Sequence, residues 1–468
     1  MTTVQPSHST SYLAVEKNHA QFCELLEQAL AYARTLGASD AVAEVSESKG
    51  LSVSVRNLDI ETVEQTSDRG LNVTVFDGQR RGSASTSDFS VQALRSAVDA
   101  AWHIARHTAA DDCAGLPDAG MLALNLDATP DTPAQADLQL HRPWVISAEQ
   151  AARIAVQAER AACVVSPLIS NTEGASVSAF EGQFVLANTR GFMAGFPYSR
   201  HSVSVAPIAG QGDHMQRDYW YTSSRDPNQL ASPAAVGRYA AQRTLSRLHA
   251  RPVKTGRFPV LFEAPLAVGL LGALVQATSG GALYRKASFL LDSLGKPVMA
   301  DHLDVLEDPF VPGGMGSGLF DDEGVRTQRR QIVQGGVLQG YFLSTYTGRK
   351  LGMPSTGNAG GSHNLALHSR ATRPKDNFKA MLKKMGTGLL VTELIGQGVN
   401  YLTGDYSRGA FGYWVQNGEI QHPVQEITIA GNLQDMLRQI VAVGSDTITR
   451  GAKTSGSVLV EQMSVAGQ

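Results

Sequence analysis

Glycine is spread so unevenly along this chain that it separates two kinds of fold. Of its 46 glycines, 32 lie after residue 250. Glycine accepts the left-handed backbone of tight turns, so dense glycine between short apolar runs specifies many short strands. Gly335-Gly336 and Asn417-Gly418 have the composition of two-residue hairpin turns. The second half is therefore expected to be β-rich and barrel-like, with a few helices, among them 265–278 and 431–441.

The first half reads differently. Phe22, Leu25, Leu26, Ala29, Leu30, Ala33 and Leu36 fall at helical spacing over 20–36, and Gly37 stops the run. Alternating segments follow at Val42–Val45 and at Leu51, Val53 and Val55. Leu71, Val73 and Val75 then lead into the hairpin signal Asp77-Gly78. The spacing of Val91, Leu94, Val98, Ala101 and Ile104 predicts a second helix over 90–107. Residues 108–146, rich in Ala, Asp and Pro, read as a long connection on the surface. Ser147 and Gln150 make a capping box for a helix to about Cys163, and Ser232-Pro233 opens another that ends near Leu248. Strands are expected at 166–172, 175–180 and 183–188, the last two joined at Glu181-Gly182. Antiparallel strands with helices on one side make this half an α+β layer. The 468 residues exceed one ordinary core, so two domains are expected, 1–235 and 236–468, with the transition within 225–255.

A net charge of -3 without a basic run of five or more gives no electrostatic footprint for nucleic acid or an anionic membrane surface. The longest apolar stretch, Leu266–Ala277, falls short of the roughly 20 residues a bilayer span needs. Cys23, Cys113 and Cys163 are too few, and odd in number, for a disulfide framework, which suits a reducing compartment. The opening MTTVQPSHSTSYLAVEKN lacks the basic and apolar regions of a secretory leader. A cytoplasmic location is expected.

Several segments invite a chemical reading. Asp321-Asp322-Glu323 are adjacent, so their carboxylates point apart, and with Gly324 they read as a solvated turn rather than an acid–base pair or cation site. The Gly313–Gly318 loop has the glycine of a phosphate loop but no following Lys-Ser/Thr and no helix. There is no Gly-x-Ser-x-Gly elbow, and Ser279-Gly280-Gly281 reads as a helix end. Cys23 and Cys163 sit in helical patterns as small apolar residues. The second half has four histidines, His302, His363, His368 and His422. His363 and His368 are five apart, not at ligand spacing on one helix face. They and the pair His201 and His214 read as turn-satisfying polar residues.

Three strings carry more information. The first is Gly280-Gly281-Ala282-Leu283-Tyr284-Arg285-Lys286-Ala287-Ser288-Phe289. The second runs from Asn400-Tyr401-Leu402-Thr403-Gly404-Asp405-Tyr406-Ser407-Arg408 to Ile420, and the third starts at Ile427-Thr428-Ile429-Ala430-Gly431-Asn432. With Gln65–Leu71 before the Asp77-Gly78 hairpin, they resemble the TldE/PmbA subunits of the TldD/PmbA metalloprotease family over nearly the whole chain. The resemblance implies a heterodimer with a TldD-type chain, and a zinc protease acting on unfolded or extended peptides. It also implies roles in maturing a modified peptide antibiotic and in degrading an antitoxin, with residues 236–468 as the equivalent of the protease core.

Aligning the Arg285-Lys286 string with its counterpart in TldD-type chains puts the zinc motif on Gly272–Ala277. Gly272 and Ala277 then stand at the ligand positions and Ala273 at the general base; none can bind zinc or move a proton. No HExxH or HExxxH string occurs elsewhere. No catalytic residue and no metal are therefore expected in this chain, with zinc in the partner and activity only in the complex. The 265–278 helix, apolar nearly all round, is expected to be buried as a structural copy. By the same resemblance Tyr284, Arg285, Lys286, Asp405, Tyr406 and Arg408 line a shared peptide chamber; alternatively, Asp405 and Arg408 pair internally and fix two loops. Two other functions stay open: a stand-alone peptide-binding or regulatory homodimer without protease activity, and a hydrolase with an unrelated metal site.

Overall fold

The computed structural model describes residues 11–467, with side chains from Asn18 onward. Residues 1–10, most of the stretch read for a leader, lie outside it. Helix α1 (Ser11–Thr35) buries Phe22, Leu26, Ala29 and Ala33, and the chain turns at Gly37. Strands β1 (Asp40–Arg56), β2 (Asp59–Asp77) and β3 (Arg80–Thr86) follow, then α2 (Val91–His107) behind its Ser90 cap. After the connection come α3 (Ala148–Cys163), with both arms of the Ser147–Gln150 capping box, and β4 (Ile169–Asn188). The layer is completed by β5 (Met193–Ala209), β6 (Gln216–Arg217), β7 (Trp220–Ser224) and α4 (Pro233–Ser246).

The sheet is antiparallel in the order β3-β2-β1-β4-β5-β6, with β7 also on β5. Helices α1 and α2 cover one end of it. At the other end α3 and α4 meet through alanines, among them Ala155, Ala158, Ala240 and Ala241. A Cβ at Gly237 would stand 2.1 Å from the Ala158 carbonyl, so this close approach needs glycine.

Three expectations for this half need correction. First, the segments read as separate strands are continuous: β1 absorbs two of them and β4 three. Gly50 and Gly182 lie inside these strands, where a Cβ would come within 2.7 Å of Thr66 Oγ1 and of the Tyr198 ring. Both mark close approach across the sheet, and Gly182 is therefore not the turn expected at Glu181-Gly182. Second, Val91 and Ile104 of α2 are exposed; the buried stripe is Leu94, Ala97, Val98, Ala101 and Ala105. Third, the 108–146 connection has only two short 3₁₀ turns, yet it is not simply a surface strap. Leu116, Leu122, Ala123, Leu138 and Leu140 are buried, most of them with Phe192, Phe310, Leu319 and Phe320 in an apolar seam between the halves. Phe320 sits edge-on to Phe184, Phe192 and Phe196. The buried backbone is satisfied across the seam, as in Ala123 N to Gly324 O and Gly313 N to Leu138 O.

The second half starts with β8 (Gly256–Phe262), α5 (Ala264–Thr278) and α6 (Gly280–Tyr284). Then come β9 (Leu303–Asp308), β10 (Arg330–Gln334), β11 (Val337–Leu338), α7 (Thr345–Lys350) and β12 (Asn364–Ser369). Next are α8 (Phe378–Met385), β13 (Gly388–Ile395), β14 (Asp405–Gln416), β15 (Glu419–Asn432) and α9 (Leu433–Arg438). The last strands are β16 (Ile440–Val443), β17 (Ile448–Arg450), β18 (Lys453–Ser455) and β19 (Val458–Ala466). Strands β15-β14-β13-β8-β19 pair in sequence, and β15 also pairs β19, which closes a five-stranded barrel. The order β11-β10-β9-β12-β18-β17 forms a second sheet.

The expected α+β class and barrel-like second half are both present. Gly335-Gly336 and Asn417-Gly418 hold the positive φ angles that two-residue hairpins require. The helix expected over 431–441 is shorter, because Ile440–Val443, with three β-branched residues of four, pairs with β19 instead. No helix among the described residues is long and apolar enough to cross a membrane.

Candidate functional site

Helix α5 leaves the barrel directly from β8. Its N-cap, Glu263, is held by Arg243 of α4 at 2.8 and 3.0 Å, which ties the helix start to the first layer. Burial pushes the Glu263 carboxyl up, opposed by that guanidinium. At the other end the Ser288 hydroxyl donates to Ala277 O at 2.5 Å. Ser279 ends α5 and caps α6 through Ala282 N, so Ser279-Gly280-Gly281 is a junction between two helices.

The helix is not buried all round. Gly269 and Gln276 are exposed, and Gly272 between them is half-buried with nothing within 4 Å of its would-be Cβ. Ala273 is 6% exposed and Ala277 fully buried. The three positions aligned with the zinc motif therefore face different surroundings: 272 looks outward and 277 into the core. None offers a donor atom, and among the described residues no three His, Cys, Asp or Glu side chains gather as a metal site. The residues present do not fit a zinc ion.

Tyr284 ends α6 and lines a cleft of about 1000 Å³ between the halves. Its ring meets Tyr346 of α7 edge-on at 6.0 Å, and the exposed Arg285 lies over it at 5.2 Å. Tyr346 donates its hydroxyl to Asp111 at 2.8 Å, and Lys350 Nζ reaches the other carboxylate oxygen at 2.8 Å. With the Cys113 amide, these donors hold Asp111 down at about 2, the Lys350 contact being the largest influence. The 108–114 segment thus joins the α6–α7 corner in one wall. Sequence reading missed Asp111, Tyr346 and Lys350, because no local signal links residues more than 230 positions apart. The cleft presents two aromatic faces and the Asp111–Lys350 pair, with Arg81, Asp112 and Glu323 also in its lining.

The other expected chamber residues are placed otherwise. Lys286 is exposed, in a left-handed turn. Tyr406 is buried in the barrel core, where desolvation pushes its hydroxyl up to about 12. Asp405 and Arg408 do not pair. Three apart on β14, they project to opposite faces. Asp405 accepts from Thr403 Oγ1 at 2.7 Å, while Arg408 donates to Gly396 O at 2.6 Å. Contact between the first two strings runs through Phe289, whose amide donates to Tyr401 O.

The acidic triplet is also not a solvated turn. Asp321 is buried and accepts from Glu323 N, Val325 N and Ala359 N, each at 2.9 Å. Desolvation outweighs these amides and lifts its carboxyl to about 7. The histidines stay apart. His363 contacts Gly316 O and Gly357 O, and His368 is exposed on β12. His201 is buried and contacts Arg142 O, and His214 is exposed.

An antiparallel sheet layer joined to a five-stranded barrel, with a helix springing from the barrel's β8, defines a class of metallopeptidase-family proteins. Residues 41–105, 141–248 and 255–467 match the first, central and C-terminal domains of the PmbA/TldA metallopeptidases, respectively. The chain belongs to the PmbA/TldD metallopeptidase family. It is 48% identical to the metalloprotease PmbA of Escherichia coli O157:H7, covering 95% of this chain and 97% of that one. It is 46% identical to the PmbA homologue of Haemophilus influenzae, covering 94% and 96%. A proposed modulator of DNA gyrase from Bacteroides thetaiotaomicron has the same fold, with a TM-score of 0.87 and 26% identity over 95% of this chain and 99% of that one. TldE from Thermococcus kodakarensis shares the fold at a TM-score of 0.81 and 19% identity, over 95% of this chain and all of that one.

Proposed function

We propose that this chain is the non-catalytic subunit of a two-chain zinc peptidase. Its partner would be a TldD-type chain carrying the metal, and its substrates unfolded or extended peptides, including modified peptide antibiotics and antitoxins. The observation that carries the reading is helix α5: in a metallopeptidase family, the aligned positions hold Gly272, Ala273 and Ala277, and two of the three face outward or inward without any ligand atom. The subunit would close a chamber over the partner's metal and exclude folded chains. The Tyr284–Tyr346 cleft supports a peptide-holding wall, since aromatic faces and hydrogen-bonding groups suit a backbone better than they suit catalysis. A cytoplasmic location fits three cysteines without a disulfide.

The test is metal content and cleavage of an unstructured peptide, measured on the purified chain alone and mixed with a TldD-type chain. Cleavage only in the mixture, with zinc in the partner, is expected. Stoichiometric metal and unaided cleavage by the lone chain would refute the reading. Inactivity of the mixture despite a loaded partner would leave the stand-alone binding homodimer as the better account.

A further inference from the structure

The first sheet ends in a long strand edge that nothing pairs. Strand β2 runs beside β1 from Asp59 to Phe76, but β3 covers its other side only from Leu71 onward. Residues 59–70 are thus an open edge about 40 Å long. Half of a strand's amides and carbonyls point away from its neighbour, and among the described residues the backbone of 61–69 bonds to nothing beyond β1. The side chains are uncovered too. Every residue from Asp59 to Arg69 is exposed, on both faces of the sheet, while most of the adjoining stretch of β1 is buried or half-buried. Leu58, Ile60 and Val63 at the tip are 41, 50 and 46% exposed. Val63 stands opposite Val53, which lies in the core under α3, so the apolar side of the sheet runs out onto the open edge. Open edges are commonly blunted by proline, lysine, a bulge or brevity. From Thr62 to Gly70 there is no proline or lysine, and the register with β1 is unbroken.

The charge of the edge selects its occupant. Asp59, Glu61, Glu64 and Asp68 form no salt bridge among the described residues. The cations nearby are committed elsewhere. Arg69 lies over the Phe89 ring at 5.2 Å, and Arg56, opposite Asp59, donates to Thr172 O. Lys49 sits between Ser67 and Glu181, on the face opposite Glu64 and Asp68. A second copy of the chain would bring four more carboxylates onto the same ladder, and like charges set opposite each other destabilise it. A lone peptide would satisfy the edge yet leave both faces wet. A folded chain that adds a basic strand satisfies the edge, the faces and the charge together.

We propose that residues 59–69 are the docking edge for the partner chain, which adds a strand carrying lysine or arginine against Glu61, Glu64 and Asp68 and covers Leu58, Ile60 and Val63. The inference rests on the two-chain reading and names the place where the TldD-type chain joins the first sheet. Hydrogen–deuterium exchange of the full chain, alone and mixed with a TldD-type chain, tests it. The outward amides of 61–69 should exchange freely in the lone chain and at least ten-fold more slowly in the complex. Glu61→Lys/Glu64→Lys/Asp68→Lys changes only exposed side chains and should weaken the complex at least ten-fold in isothermal titration. Asp213→Lys/Glu419→Lys/Glu461→Lys, equal in charge and exposed elsewhere, should leave it within three-fold. Matching thermal melts show that both variants fold. No complex with the unaltered chain would sink the two-chain reading and this inference with it. A complex in which 61–69 exchange as before, unchanged affinity of the first variant, or equal weakening by both variants would overturn this inference alone. Protection of the same amides in a homodimer of the lone chain, or by an unfolded lysine-rich peptide without the partner, would overturn it as well.

Discussion

Replacing Gly272 and Ala277 with histidine, one at a time, tests how α5 is seated. At Gly272 the would-be Cβ meets nothing within 4 Å, and the position is half-buried. Glycine in a helix interior lies about 1 kcal/mol below alanine and histidine roughly 0.6 below it, so Gly272→His should be neutral or stabilising by a few tenths of a kcal/mol. Ala277 is fully buried, in contact with the barrel and sheet core. An imidazole there overfills the site, at about 1–3 kcal/mol, and buries a polar ring without a prepared partner, at about 1–3 kcal/mol more. Ala277→His should therefore destabilise by roughly 2–6 kcal/mol, a large share of a typical domain's stability. Urea unfolding followed by tryptophan fluorescence gives both values. Equal effects of the two substitutions, or a cost under about 1 kcal/mol at Ala277, would show that the helix is not oriented as described. The physical consequence is that a metal motif cannot be restored on α5 without repacking the core beneath it.

Arg225 binds four backbone carbonyls, those of Leu140, Ser199, Gly314 and Met315, and so pins the connection and the glycine loop to the first sheet. Arg225→Met should cost roughly 2–5 kcal/mol in urea unfolding, because two of those carbonyls, at Leu140 and Gly314, keep another donor. It should also open residues 311–318 to limited proteolysis. For Asp321, a folded value of about 7 against an ordinary 3.8 means that the folded chain retains a proton the unfolded chain releases. Stability should fall by roughly 2–4 kcal/mol as pH rises from about 4 to 7, and Asp321→Asn should flatten that slope in thermal melts. Asp111 acts with the opposite sign. Depressed to about 2, it contributes stability above its ordinary 3.8 that is lost as pH falls toward 2. Tyr346→Phe should raise the Asp111 value in an NMR titration, and an unchanged value would remove the hydroxyl from that cluster.

Much of the first layer was legible because its signals are local. Ser90, Ser147 and Ser232 cap helices α2, α3 and α4 through their own side chains, and the apolar spacing of α1 is its buried face. The hairpins at Asp77-Gly78, Gly335-Gly336 and Asn417-Gly418 follow from residues that tolerate positive φ. The same glycine signal misled at Gly182, where the reason for glycine is the Tyr198 ring on the neighbouring strand.

The sequence by itself determined the capped starts of α3 and α4, the turns at Asp77-Gly78, Gly335-Gly336 and Asn417-Gly418, the family, and the lack of donor atoms at 272, 273 and 277. Tertiary structure alone decided that the 108–146 connection is a buried seam, that Asp321 is desolvated, and that Asp111 meets Tyr346. It also decided that Asp405 and Arg408 turn away from each other. Capping and turn preferences act within a few residues and can be read along the chain. Burial and pairing depend on which distant segments share a contact, and the barrel closure of β15 onto β19 and the packing of the seam set those contacts only once the whole chain is folded.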